Sequence, residues 1–418
     1  MTTPFNFNTS QQVYCLSAAS NAVGSKQGTE ADLQQAMDDA LASKLPQVTG
    51  DWEVSWGPKV YKPMPEESGP VENVWFAAVS ESQKLVVVAV SGTAPPSIKD
   101  WLDDIDVERV VNFGTWVGSW STSTGVPVPV VDKSPDTTAN AYIANGTATG
   151  VYNILSNTDP KTNTYLWQYL QTITPDYNVI FTGHSMGGAI SPTLALGLKQ
   201  AGMISAGQAY AMPSAGPSPG NANFVALYRK LFPVTVPPQG GVPDYGTLNT
   251  DFYNTDDIVP QAWSILPTDD RNLNNITSQI YTWAKLDTDW LVYLTAVGLV
   301  GQATRCSAAS KVAYAPIPGT AFTSPIDGGV PQISSFADLG GSILRNHTSD
   351  YWTYIGVQAF VDEFDDKVVQ QPGVEPLPET PIVAAPDSAA GGATGVLPVK
   401  AKAGAGSLVT VLEHLVEP

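Results

Sequence analysis

The stretch NVIFTGHSMGGA, residues 178–189, runs from apolar residues that predict a buried strand, through a glycine-rich turn, into an apolar helix. In the turn, GHSMG at residues 183–187 matches the pattern G-x-S-x-G, in which a serine occupies a sharp and strained strand-to-helix turn. A pattern with three fixed positions also arises by chance, so the flanking strand and helix are the important evidence. The stretch therefore predicts a nucleophile, Ser185, at the edge of a sheet.

Further strand-like runs surround this stretch. Residues 74–79 and 85–90 predict a hairpin, and the second of its strands is apolar throughout, as a central strand of a sheet should be. Residues 208–212 and 251–255 have the same character, and turn or helix signals follow each of them. Strands thus alternate with helices over roughly residues 50–260, an order that predicts an α/β fold with a mainly parallel central sheet.

Three parts of the chain lie outside this alternating region. Residues 11–22 and 30–45 predict two N-terminal helices, the second with an acidic first turn. Residues 261–344 contain Trp, Leu and Val at helical spacing and then a loop-like part, so we expect a large insertion that forms a cap. Residues 371–418 are rich in Pro, Ala and Gly, a composition that cannot order itself independently. We therefore expect one domain over residues 1–370, followed by a tail.

Composition excludes several classes of function. Lys and Arg total 20 against 39 Asp and Glu, and the net charge of −19 repels nucleic acids and anionic membrane surfaces. With two cysteines, Cys15 and Cys306, and three histidines, a Cys/His metal site is disfavoured, and we expect no metal and no cofactor. The longest apolar stretch, residues 290–301, is shorter than the roughly 20 residues that span a bilayer, so we expect no transmembrane segment. The chain starts without signal-peptide character, which favours a cytoplasmic protein, a non-classically exported one or a trimmed secreted one.

A serine hydroxyl is a weak nucleophile and needs a base to activate it. Two histidines follow Ser185 along the chain. We favour His347, near the end of the folded part, over His414, which lies after the Pro-, Ala- and Gly-rich run of the tail. His184 is adjacent to the serine, so its side chain should leave the turn in another direction. We expect it to be a packed or hydrogen-bonded residue.

The base in turn needs an orienting carboxylate, which follows the serine and precedes the histidine in α/β-hydrolases. Asp256 and Asp257 both follow the predicted strand at residues 251–255, where α/β sheets place functional groups. The residues alone leave the choice between them open, and a pair of solvated loop carboxylates is a further alternative. The helix after Ser185 directs backbone N–H groups toward developing negative charge, and Met186 would supply one of them.

These residues resemble the class 3 lipases, the fungal triacylglycerol lipase type of α/β-hydrolase. Four blocks carry the resemblance in the family's order: VVVAVSGT at residues 86–93, VIFTGHSMGGA at 179–189, DIVP at 257–260 and NHTSDYW at 346–352. The resemblance implies Ser185 as nucleophile, Asp257 as acid and His347 as base, and so decides between the two aspartates. It also implies that Thr93 supplies the other oxyanion group, through its backbone N–H and its hydroxyl. Together, Thr93 and Met186 would form an oxyanion hole.

In that family the segment after the oxyanion residue forms a lid. Here a helix over residues 97–105 would carry four apolar side chains on one face, Ile98, Trp101, Leu102 and Ile105. Closed, this face would cover the serine, and opened at a lipid surface it would contact acyl chains. An ordinary core-packed helix is the alternative. Family members often carry disulfides, and whether Cys15 and Cys306 pair is left open.

The sequence thus predicts a serine-dependent carboxylic ester hydrolase with an α/β-hydrolase fold, a helical lid and a large insertion between acid and histidine. Its substrates would be acylglycerols or other hydrophobic esters, met at a lipid–water interface and cleaved through an acyl-enzyme. The acidic surface favours neutral lipids. The alternatives are a non-catalytic lipid-binding pseudo-hydrolase, or a phospholipase, polyester hydrolase or acyltransferase that uses the same triad.

Overall fold

The computed structural model describes residues 5–48, 50–92, 106–205, 207–236, 244–282, 290–324, 333 and 335–364. Its helices are α1 (Thr9–Ala19), α2 (Glu30–Lys44), α3 (Phe113–Gly118), α4 (Asn145–Ser156), α5 (Leu166–Thr172), α6 (Met186–Gln200), α7 (Ala222–Leu231), α8 (Leu273–Asn275), α9 (Trp290–Ala309), α10 (Phe336–His347), α11 (Ser349–Ile355) and α12 (Gln358–Phe364). Its strands are β1 (Trp52–Tyr61), β2 (Asn73–Ser80), β3 (Leu85–Val90), β4 (Val110–Asn112), β5 (Tyr142–Ala144), β6 (Asn178–His184), β7 (Gln208–Ser214), β8 (Gly220–Asn221), β9 (Asp251–Asn254), β10 (Tyr314–Ala315) and β11 (Gly319–Phe322).

A twisted sheet of seven strands, in the order β1-β2-β3-β6-β7-β9-β11, forms the centre of the described part of the chain. The first three strands pair antiparallel, and the pairs from β3 to β11 are parallel. The predicted α/β fold with a mainly parallel central sheet is therefore confirmed. The hairpin predicted from residues 74–79 and 85–90 corresponds to β2 and β3, which pair directly.

The central strand β3 is apolar on both faces because two separate cores lie against it. Val86 and Val88 point into one core, with side chains of α4 and α6. Val87 and Ala89 point into the other, with side chains of α1, α2 and α11. Since successive residues of a strand face opposite sides, this uninterrupted apolar run fixes β3 between two layers of helices. The same arrangement places the carboxyl ends of β3, β6 and β9 at one edge of the sheet.

Two parts of the fold go beyond the sequence prediction. Strands β10, β8, β5 and β4 form a second, antiparallel sheet of four short strands. Within residues 261–344, β11 adds a parallel strand next to β9, so the region expected to be an insertion also extends the central sheet. Both elements are only two to four residues long, which leaves them without a periodic apolar pattern.

The two N-terminal helices are present with small shifts in their ends. Helix α1 begins at Thr9, where Asn8 and Gln11 form a capping box, and α2 begins after Thr29, which caps it together with Asp32. Cys15 is buried in α1, and no disulfide joins it to Cys306. In the described ranges, no helix has the length and apolar character needed to cross a membrane.

Candidate active site

Ser185 occupies the turn between β6 and α6. Its backbone has φ 62° and ψ −126°, a conformation that residues other than glycine rarely adopt. The main-chain N–H of Ser185 donates to Ser214 O at the end of β7 across 3.0 Å, which holds the strained turn against the neighbouring strand. Ser185 is 8% exposed, so the turn presents a partly covered hydroxyl at the carboxyl edge of the sheet.

The two glycines of the pattern are required by close backbone contacts. A Cβ on Gly183 would lie 2.5 Å from Gly187 O, and a Cβ on Gly187 would overlap Val90 O on the neighbouring strand. Any side chain at either position would therefore push the turn away from β3. The pattern G-x-S-x-G at residues 183–187 is thus explained by the packing of this turn.

Asp257 and His347 are joined by a hydrogen bond between Oδ2 and Nδ1, 2.8 Å long. Asp257 follows β9 and is fully buried, whereas the side chain of His347, the last residue of α10, is 15% exposed. The carboxylate also accepts from the Val259 N–H at 3.0 Å and from the Tyr351 hydroxyl at 2.8 Å. Since Nδ1 donates to the carboxylate, the Nε2 atom of the imidazole is the one left to accept a proton.

Asp256 has a different environment. It is only partly buried, and its main chain makes two hydrogen bonds: its N–H donates to Asn254 Oδ1 and its carbonyl accepts from Asn346 Nδ2. Of the two aspartates between which the residues alone could not decide, Asp257 is therefore the one whose side chain contacts His347. Among the hydrogen bonds of the described residues, none joins His347 to Ser185; such contacts often tighten only when substrate binds.

The side chain of His184 is buried, and its two ring nitrogens contact two other chain segments. Its Nδ1 lies 3.0 Å from Ser214 Oγ, and its Nε2 lies 2.6 Å from the main-chain oxygen of His347. Burial, together with the nearby charge of His347, lowers the pKa of His184 well below its ordinary value. His184 is thus a neutral, buried imidazole that links the turn to α10.

The backbone of two chain segments adjoins the serine. Met186 begins α6, and the first N–H groups of a helix have no partner within the helix. On the other side, a Cβ on Gly92 would lie only 3.1 Å from Ser185 Cβ, so the end of β3 directly adjoins the serine. The N–H of Gly92 donates to Asn21 Oδ1 at 3.0 Å, a contact that fixes this end. This arrangement suits the stabilisation of negative charge next to Ser185.

Several residues singled out in the sequence lie outside the described ranges. They are Thr93, the lid residues Ile98, Trp101, Leu102 and Ile105, the alternative base His414, and the whole tail at residues 371–418.

Three residues of the site had not been singled out from the sequence: Tyr351, Ser214 and Asn21. Tyr351 lies within the block NHTSDYW, four residues after His347, which is one helical turn and could have indicated a shared face. Ser214 and Asn21 act through contacts between distant parts of the chain and leave no local signal. In the ranges that the structure describes, no three His, Cys, Asp or Glu side chains are grouped so that they could hold a metal ion.

Comparison with known proteins finds similarity to lipases. Residues 87–266 match the family model described as Lipase (class 3). The fold is similar to the crystal structure of M37 lipase, with a TM-score of 0.61 and 22% identity over 86% of this chain and 95% of that chain. The nonglycosylated LIP2 lipase of Yarrowia lipolytica (TM-score 0.38, 19% identity, 63% and 75% of the two chains) and a lipase from Rhizopus microsporus var. chinensis (0.35, 17%, 62% and 71%) are more distant. No curated protein matches the chain by sequence.

Proposed function

Because residues 87–266 match the class 3 lipase family and the fold is similar to that of M37 lipase, we propose that this chain is a carboxylic ester hydrolase whose catalytic triad is Ser185, His347 and Asp257. The observation that carries the proposal is the 2.8 Å hydrogen bond between His347 Nδ1 and the fully buried carboxylate of Asp257. A buried carboxylate fixes the tautomer of the imidazole and stabilises the imidazolium that forms during the reaction.

In the proposed mechanism, Ser185 Oγ attacks the ester carbonyl carbon while His347 Nε2 takes the hydroxyl proton. The tetrahedral intermediate collapses as His347 returns the proton to the leaving alcohol, which leaves an acyl-enzyme on Ser185. Water, deprotonated by the same imidazole, then attacks the acyl carbon and releases the fatty acid. The strained turn supports this role because it fixes the backbone of the serine at the head of α6.

The oxyanion would be bound by the backbone N–H of Met186 and by Thr93, through its N–H and hydroxyl. Support for Met186 comes from its place as the first residue of α6. Support for Thr93 comes from the preceding Gly92, which adjoins Ser185 and is held by Asn21. One such donor lowers the barrier by about 3 kcal/mol. Asn21→Ala removes the contact that holds Gly92, so we expect it to loosen this end of β3 and to affect kcat more than KM.

The triad is tested by hydrolysis of soluble p-nitrophenyl butyrate. Ser185→Ala and His347→Ala should each lower kcat by on the order of 10⁴-fold or more, because the members of a triad act as a unit. Ser191→Ala is a matched control: Ser191 is a buried serine of α6, and its hydroxyl has no hydrogen-bond partner among the described residues. Retained turnover in His347→Ala, with loss in His414→Ala, would overturn the assignment of the base.

We propose further that the preferred substrates are water-insoluble acylglycerols, and that residues 97–105 form a lid whose apolar face contacts them. The amphipathic pattern of Ile98, Trp101, Leu102 and Ile105 supports this proposal. Trp101→Ala should weaken hydrolysis of emulsified tributyrin several-fold more than that of soluble p-nitrophenyl acetate, and Trp101→Phe should retain both. Equal losses on the two substrates would mean that this segment is not a lid.

A further inference from the structure

The imidazole of His184 lies between the two chain segments that carry Ser185 and His347. It is the residue immediately before Ser185, it is 6% exposed, and its Nε2 is 2.6 Å from the main-chain oxygen of His347. It therefore connects the nucleophile turn to the residue that we propose as the base.

The chemistry of the two partners fixes the proton of this imidazole. A carbonyl oxygen only accepts hydrogen bonds, so Nε2 carries the proton and donates it to His347 O. The lowered pKa keeps the ring neutral, so Nδ1 is unprotonated and accepts from the Ser214 hydroxyl. His184 thus has one defined tautomer and both of its ring nitrogens are satisfied.

The acceptor of this bond is a carbonyl that the helix itself cannot satisfy. His347 is the last residue of α10, and the last four carbonyls of a helix have no intrahelical partner. At Thr348 the backbone leaves the helical conformation, with φ −129° and ψ −82°, before α11 begins. The hydrogen bond from His184 therefore fixes the main chain at the junction of α10 and α11, where the helical hydrogen-bond pattern is interrupted.

The ring of His184 also packs among the aromatic groups of this region. Its centroid lies 4.8 Å from that of His347, 5.0 Å from Tyr351 and 5.1 Å from Trp352. Tyr351 in turn donates to Asp257, so the same cluster contacts both members of the acid–base pair. A shift of His184 would reach the imidazole of His347 through this packing.

We propose that His184 is a positioning residue, whose Nε2–H sets the main chain of His347 at the distance from Ser185 that proton transfer needs. The inference rests on the proposed triad and deepens it. In this proposal, the histidine of the GHSMG turn acts on the geometry of the transition state, and other residues bind the substrate.

The test compares variants that keep either the ring or the donor. His184→Phe keeps an aromatic ring without the donor, His184→Asn places its amide nitrogen near the position of Nδ1, and His184→Gln places it near Nε2. With soluble p-nitrophenyl butyrate, Phe and Asn should lower kcat by about 10²-fold with KM changed less than two-fold, because a misplacement of about 1 Å costs that much. Gln should recover kcat to within about ten-fold of the wild type.

A control for stability is Ile355→Ala, a buried change at the end of α11, which should lower the melting temperature and leave kcat near the wild-type value. Equal kcat losses in His184→Gln and His184→Asn would overturn the inference, and so would kcat losses that parallel the fall in melting temperature in every variant.

Ser185→Ala is measured in parallel with the His184 variants. If Ser185→Ala retains turnover, the proposed triad itself fails. Full loss of turnover in Ser185→Ala, with no loss in His184→Asn, refutes the role of His184 alone.

Discussion

Tyr351 donates its hydroxyl to Asp257 Oδ2 across 2.8 Å, and both side chains are completely buried. The same phenol oxygen accepts the N–H of Asn254 at 2.9 Å, so it is held between the end of β9 and the carboxylate. Burial raises the pKa of Tyr351, which keeps the phenol protonated. A buried carboxylate is costly unless donors surround it, and Tyr351 supplies one of the three donors that the described part of the chain gives to the Asp257 carboxylate.

The first prediction concerns this hydroxyl. Tyr351→Phe leaves the ring in place and removes one donor, so the carboxylate is less well held and kcat should fall about ten-fold, the effect of about 1.4 kcal/mol. Steady-state hydrolysis of p-nitrophenyl butyrate measures it. The control is Tyr354→Phe on the same helix, since Tyr354 is 38% exposed and should tolerate the change. Equal rates for the two variants would mean that Asp257 does not depend on Tyr351.

The second prediction separates the two neighbouring aspartates. Asp257→Asn exchanges the charged partner of His347 for an amide that favours the wrong tautomer, so kcat should fall by on the order of 10³- to 10⁴-fold. Asp256→Asn should lower kcat less than three-fold, because Asp256 lies in the same loop but is held there by hydrogen bonds of its main chain, which the substitution leaves in place. Measuring kcat for both variants with one ester decides the point, and a larger loss in Asp256→Asn would contradict the proposed triad.

The parts of this protein that the sequence could predict are those whose cause is local. The strand β6, the turn and α6 follow one another without interruption, and the glycines at 183 and 187 are needed by contacts within that unit and with β3. The apolar run of β3 indicated a strand buried on both faces, which it is. Local periodicity and turn chemistry were sufficient here because no distant residue alters them.

The rest depends on contacts between distant residues. Tyr351 and Asp257 are 94 positions apart, and His184 and His347 are 163 apart, so no spacing rule connects them. The choice between Asp256 and Asp257 was open for the same reason: both follow one strand, and the direction of each side chain is set by the turn after β9. The strand β11 was missed because four residues, GTAF, are recruited by pairing with β9 and show no periodicity of their own.

The third prediction is a pH dependence of stability from His184. Its pKa in the folded state lies well below the ordinary value of 6.5, so below that pH the unfolded chain binds a proton that the folded chain does not. The free energy of unfolding should therefore fall as the pH decreases below 6.5, by at most about 1.4 kcal/mol per pH unit for this one group. Above pH 6.5 its contribution is constant.

His184→Gln removes this titration because glutamine carries no ionisable group. Urea unfolding at pH 7.5, 6.5, 5.5 and 5.0 should give the wild type a higher free energy of unfolding than the variant, and this difference should shrink as the pH falls. Groups that lie away from His184 titrate alike in the two proteins, so they cancel in the difference. A margin that is the same at every pH would show that His184 is protonated equally in the folded and unfolded states.

The fourth prediction concerns a buried ion pair that ties residues 261–344 to the central sheet. Arg271, 1% exposed, places Nη1 2.5 Å from Oδ2 of the fully buried Asp251, which begins β9, and its Nη2 donates to Ile317 O. Burial raises the pKa of Asp251, and Arg271 opposes this shift. Arg271→Met leaves the carboxylate without its charged partner and should lower the free energy of unfolding by about 3–5 kcal/mol.

The double variant Asp251→Asn/Arg271→Met tests whether the loss comes from the unpaired charge. With the carboxylate gone as well, it should recover a large part of the stability lost in Arg271→Met, since removing both charges of a buried pair costs less than removing one. Arg109→Ala is the control. The Arg109 side chain, which pairs with Asp106, is 62% exposed, so this substitution should lower the free energy of unfolding by less than about 1 kcal/mol. A double variant no more stable than Arg271→Met would show instead that the contacts of Arg271 with Ile317 and the Tyr253 ring, 4.4 Å away, hold this region to β9.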